Sequence, residues 1–205
     1  MMGMSSLVAR FAALRRNDQG VAAVEFALIV PFLIVLYLGS MEAASLFTVD
    51  KRVSSVAATI GDLVSQWDPD DGTMPVADLT DYMNASTGIL APYSTTGLKI
   101  VVTLVQVKND GTTKVLWSRA NAAGTVKTTG HQYAGLGATT EMNLVARGGC
   151  VVAAEASYSH LPLLGQVFET AVPLKHTNYF MPRFGSSVPI SVGTALAIAA
   201  CTSQT

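Results

Sequence analysis

The sequence predicts an α+β protein: a long N-terminal helix that crosses a membrane and continues as an amphipathic helix, followed by a small antiparallel-sheet domain outside the cytosol. Three observations carry this. Val21–Met41 is apolar except for Glu25. A seam of apolar residues at helical spacing follows it without a break. Further on, two β-rich stretches flank Asn109-Asp110-Gly111, a hairpin turn signal.

The elements follow in chain order. Residues 1–20 form a basic leader with Arg10, Arg15 and Arg16 against Asp18. Val21–Met41 as a helix rises about 31 Å, close to one hydrocarbon thickness. The basic leader stays in the cytoplasm by the positive-inside rule, which sends the rest of the chain outward. Leu46, Val49, Val53, Val56, Ile60, Leu63 and Trp67 alternate spacings of 3 and 4. This heptad-like seam packs on the protein's own sheet or on a neighbouring subunit. Gly61 reads as a tolerated break in the helix, and Asp68-Pro69-Asp70-Asp71-Gly72 ends it.

Pro75–Thr87 reads as a second helix, with Val76, Leu79 and Met83 on one face and Gly88 as its C-cap. Leu98–Lys108 and Thr112–Ser118 form the hairpin, 120–140 an irregular loop, and Cys150–His160 a third strand. Phe180–Phe184 extends or pairs beside that strand. For Val188–Ala200 the period does not separate strand from helix. The expected divisions are therefore 1–20 leader, 21–66 membrane-spanning and amphipathic helix, and 67–205 extracytoplasmic α+β domain.

Composition narrows the function. Charged residues are 13% of 205, and the net charge is −1; this gives no basis for a nucleic-acid partner. There is no G-x-S-x-G, H-E-x-x-H or phosphate loop, so an enzyme is not expected and neither is a cofactor. His131, His160 and His176 are scattered and read as surface or turn residues, not ligands. Asp68, Asp70 and Asp71 miss the calcium-loop spacing, so no metal site is expected. Cys150 and Cys201 lie in no C-x-x-C pair. Outside the cytosol a single disulfide is the natural reading, against two buried thiols that never meet.

The membrane entry concentrates the unusual residues. If the leader is cut after Gly20, Val21 becomes the first residue and Glu25 the fifth. Glu25 then lies about one helical turn from a new α-amino group, its own or that of the next subunit in a stack. A paired carboxylate costs far less in lipid than an isolated one, so the pair would set the axial register of a stack. Pro31 removes the helix bond to the carbonyl of Ala27 and introduces a kink.

The stretch GVAAVEFALIVPFLIVLYLGSMEAA resembles the opening of TadE/TadF/TadG-like proteins of tight-adherence (Flp) pilus systems. It carries Val24-Glu25-Phe26-Ala27-Leu28 and Pro31 as that family's core pattern. Weaker likenesses follow at Trp117, at Cys150, in SYSHLPLL and in NYFMPRFG before Cys201. The resemblance implies a minor pilin or pseudopilin, cut between Gly20 and Val21 by a prepilin peptidase. Glu25, Phe26 and Pro31 would serve in assembly with other Tad/Flp components and pseudopilins. It implies a single-pass protein of the inner membrane with its N-terminus cytoplasmic. The alternative is a signal-anchored extracytoplasmic binding module that never enters a pilus.

Overall fold

The computed structural model describes residues 20–162, 171–192, 195–197 and 201. The leader, apart from Gly20, lies outside the described residues, as does part of the Val188–Ala200 run. The fold is α+β: a long N-terminal apolar helix precedes a four-stranded antiparallel sheet. The chain divides into two compact units at Ser45/Leu46.

The first unit contains the opening of helix α1 (Val21–Ser65). Its apolar side chains are exposed; Phe26, Phe32 and Leu36 are 69%, 77% and 73% accessible. Pro31 is accommodated inside the helix. Among the described residues α1 is the helix long and apolar enough to cross a membrane.

In the second unit the same helix becomes one-sided. Val49, Val53, Val56, Ala57, Ile60, Gly61, Val64 and Ser65 are buried, and the apolar side chains among them share a core with the sheet. The seam therefore packs on the protein's own domain. Its end differs from expectation: Val64 is buried, whereas Leu63 is only half-buried. A strict seven-residue repeat drifts about 20° per heptad around a straight helix, so the true contact stripe moves on by one residue. Gly61 is also more than a tolerated break, since it lies against the ring of Phe180.

After α1, the Asp68 carboxylate accepts the Asp70 N–H at 2.9 Å and starts a short 3₁₀ turn, Pro69–Asp71. Helix α2 (Val76–Thr87) buries Leu79, Met83 and Ser86. Gly88 does not take the left-handed cap conformation: at φ −58° it stays right-handed and leads into a 3₁₀ turn, Gly88–Leu90. The Arg52 guanidinium reaches from α1 to the carbonyls of Ile89 and Ala91 at the end of that turn.

Strands β1 (Lys99–Val107) and β2 (Thr113–Ala120) form the expected hairpin. Gly111 supplies the positive φ, 84°. The Asp110 carboxylate accepts the Thr112 hydroxyl at 2.7 Å and its N–H at 2.8 Å. These donors hold the Asp110 carboxyl below the usual range. Strand β3 (Cys150–His160) pairs with β1, and β4 (Val172–Phe180) with β3, giving the order β2-β1-β3-β4. A separate ribbon joins β5 (Ile190–Val192) to β6 (Ala195–Ala197). Met74 bridges to Ile190, and the Trp117 indole donates to the carbonyl of Val188 at 2.8 Å.

The sheet is covered on both faces. Val152, Ala154 and Ala156 of β3 join the core shared with α1. Val151 and Ala153 face a second core with Val105, Val115, Tyr133 and Leu136. That second core is closed by the 121–140 loop and helix α3 (Glu141–Val145), which the sequence reading did not anticipate. The pairing partner of β3 is also displaced from expectation, lying at Val172–Phe180 and not at Phe180–Phe184. It is an edge strand with Leu174 as its one buried side chain, so it carries little apolar alternation.

Candidate functional site

The entry to α1 presents its expected residues on open helix. Gly20 precedes the first turn, and a Cβ placed there would meet no atom of the described residues within 4 Å. Val21 opens the helix and is 52% accessible. Glu25 follows one turn later, exposed among apolar neighbours, with Phe26 beside it and Pro31 further along. Gly39, like Gly20, has space for a neighbouring backbone. This is an apolar helical surface with one carboxylate near its start.

Residues 20–61 match the family described as TadE-like protein. The similarity lies in α1. No curated protein and no solved structure matches the chain. The TadE-like match covers Gly20, Val21, Glu25, Phe26 and Pro31 and stops at Gly61, before the sheet begins. It takes in both the exposed apolar part of α1 and the buried stripe through Ile60.

Beyond the TadE-like segment, Cys150 and Cys201 are joined in a disulfide with Cα atoms 5.8 Å apart. Both cysteines are buried in the core beneath α1. The histidines are less uniform than expected. His131 is exposed, but His160 is buried at the end of β3, edge-on to Tyr93 at 5.9 Å. His176 Nε2 lies 2.6 Å from Asp50 Oδ1, linking β4 to α1 within the second unit. Among the described residues no group of three or more His, Cys, Asp or Glu is placed to hold a metal.

A second constellation went unread in the sequence. Glu155 sits on the face of β3 turned away from α1 and is 8% accessible. Its Oε1 accepts the Tyr133 hydroxyl at 2.8 Å, and its Oε2 accepts Lys127 Nζ at 3.1 Å. Lys175 Nζ stands 3.7 Å from the same Oε2. Burial, the bond to Glu155 and its negative charge together push the Tyr133 phenol far above its usual range. The available signal was a lone carboxylate in the middle of the apolar strand CVVAAEASYSH.

Proposed function

We propose that this chain is a single-pass inner-membrane minor pilin or pseudopilin that takes part in assembly of tight-adherence (Flp) pili. Its N-terminus faces the cytoplasm and the sheet domain lies on the other side. A prepilin peptidase cuts between Gly20 and Val21. The role is structural and not enzymatic.

The observation that carries the reading is the TadE-like match over a helix that is apolar, exposed and marked by one early carboxylate. Cleavage creates an α-amine about one turn from Glu25. In a stack of helices the two charges pair across subunits in a low-dielectric setting, and a subunit out of step leaves both unpaired. Losing one member of a buried pair costs about 3–5 kcal/mol, enough to reject a wrong register. Phe26 and the neighbouring apolar surface supply packing, and Pro31, by removing one helix hydrogen bond, lets α1 bend to follow curved neighbours.

Gly20 and Glu25 separate processing from assembly. A Cβ at Gly20 meets no atom of the described residues within 4 Å, so the effect of Gly20→Val reports on access of the peptidase to the backbone. In a strain lacking the native gene product, Gly20→Val keeps the leader and Glu25→Ala inserts but does not support piliation. Leader removal is read by mass and surface pili by shear release. Normal piliation with both variants overturns the pilin reading and leaves a simple membrane anchor.

A further inference from the structure

The outer face of the sheet carries a cleft of about 560 Å³ between the 126–135 segment and β4. Glu155 forms its floor, Lys127 and Lys175 stand over that carboxylate, and His131 also lines it. Val115, Val126 and Ala134 supply an apolar part of the lining.

The wall is preformed. The Gly130 N–H donates to the Val115 carbonyl at 2.8 Å, and the Val115 N–H to the His131 carbonyl at 2.8 Å, so this segment is laced to the edge of β2. The Thr113 hydroxyl donates to the Tyr133 carbonyl at 3.0 Å. The Lys127 N–H donates to Ser118 Oγ at 3.0 Å, and Ser118 Oγ itself meets Thr103 Oγ1 at 3.0 Å. Lys127 therefore emerges from a fixed backbone position, as binding sites held on rigid elements require.

The charge count exceeds what a structural pin needs. The Tyr133 hydroxyl and Lys127 already satisfy the buried Glu155 carboxylate. Lys175 adds a second cation from the solvent side, 65% accessible and beyond hydrogen-bond distance from Glu155. An ammonium carries three donors, so both lysines retain capacity for a further acceptor. Two ammoniums over one carboxylate leave one net positive charge, which matches a monoanion. A dianion would meet the repulsion of Glu155 at close range.

We infer that this cleft binds a carboxylate group on a short apolar stem, carried either by a free monocarboxylate or by a glutamate side chain of a polypeptide. Lys175 and Lys127 bind the carboxylate, Val126 and Ala134 contact the stem, and Glu155 holds the two ammoniums together while rejecting dianions. The inference does not depend on the pilin reading.

The test uses the full chain in detergent micelles and two-dimensional amide NMR. Butyrate, a capped tripeptide with a central glutamate, and inorganic phosphate are each titrated against sodium chloride at matched ionic strength. Saturable shifts at Thr128, Gln132, Gly135 and Thr177 are expected with butyrate or the peptide, and the tighter of the two identifies the source. Lys175→Gln should weaken binding about tenfold, as expected for a lost charge-assisted hydrogen bond. Glu155→Gln should narrow the preference for the carboxylates over phosphate, because it removes the charge that repels a dianion. Because Lys175 is exposed, its variant remains informative even if Glu155→Gln fails to fold. Absence of saturable shifts with both carboxylates, equal or tighter binding of phosphate, or an affinity unchanged in Lys175→Gln overturns the inference.

Discussion

Gly61 of α1 lies directly against the ring of Phe180 at the end of β4. A Cβ at Gly61 would fall inside contact distance of that ring and 3.0 Å from the Cβ of Ala154. Helix propensity alone favours Ala over Gly by about 1 kcal/mol. Overpacking typically costs about 1–3 kcal/mol, so the steric term outweighs propensity. Gly61→Ala is expected to lower the thermal midpoint of the full chain in detergent. In a Phe180→Ala background the same change should cost less, because only the 3.0 Å approach to Ala154 remains. A Gly61→Ala protein more stable than the parent would show that the ring yields freely.

The stripe of α1 makes a graded prediction. Ile60 is fully buried, whereas Leu63 keeps part of its side chain in solvent. Ile60→Asp places an unpaired charge in the core and should cost several kcal/mol, on the order of the domain's whole stability. Leu63→Asp should cost about 1–2 kcal/mol, because its carboxylate can reach water. Circular dichroism melts of both variants check this; equal losses would contradict the observed helix rotation.

The disulfide between Cys150 and Cys201 spans a sequence separation of 51 and ties the start of β3 to the C-terminal segment. In the chain-entropy account a loop of this size contributes about 4 kcal/mol. Cys150→Ser, Cys201→Ser and the double variant should lose similar stability, since any of them opens the same loop. Denaturant unfolding with and without reductant checks it: the parent should respond to reductant and the variants should not.

Tyr133 makes the stability of the domain sensitive to alkali. Its folded phenol ionises well above the usual 10.0, because burial and Glu155 both oppose a second negative charge. A raised folded value means that the native state holds its proton after the unfolded chain has released it. The associated stability is therefore complete below the usual value and declines as pH climbs towards the raised one. Tyr133→Phe should flatten that decline, while costing about 1–2 kcal/mol near neutrality by leaving Glu155 one donor short. Unfolding free energies measured across the alkaline range, with tyrosinate absorbance as the companion signal, check the slope.

Legibility in the sequence followed the strength of local signals. The Asn109-Asp110-Gly111 turn was readable because Gly111 needs a positive φ and Asp110 bonds its own turn. The Cys150–His160 strand was readable as an apolar β-rich run. Strand β4 was not, because an edge strand with one buried side chain has no core-facing rhythm to detect. Helix α3 was missed because five residues provide little helical period. Of the two site regions, the α1 entry stood out because Glu25 interrupts an apolar run. The cleft was hidden because Lys127, Tyr133, Glu155 and Lys175 are scattered along the chain and meet only through the sheet.

The sequence by itself determined the features that depend on near neighbours: a long apolar helix, a carboxylate one turn inside it, its termination at Asp68–Gly72, and the first hairpin. Each rests on periodicity or on hydrogen bonds spanning only a few residues. Tertiary structure alone decided which side of α1 is buried past Ile60, why Gly61 has no side chain, and what surrounds Glu155. Those outcomes depend on atoms brought together from β2, β3, β4 and the 121–140 loop, whose contacts are made by packing and strand register over long separations and leave no local periodic trace.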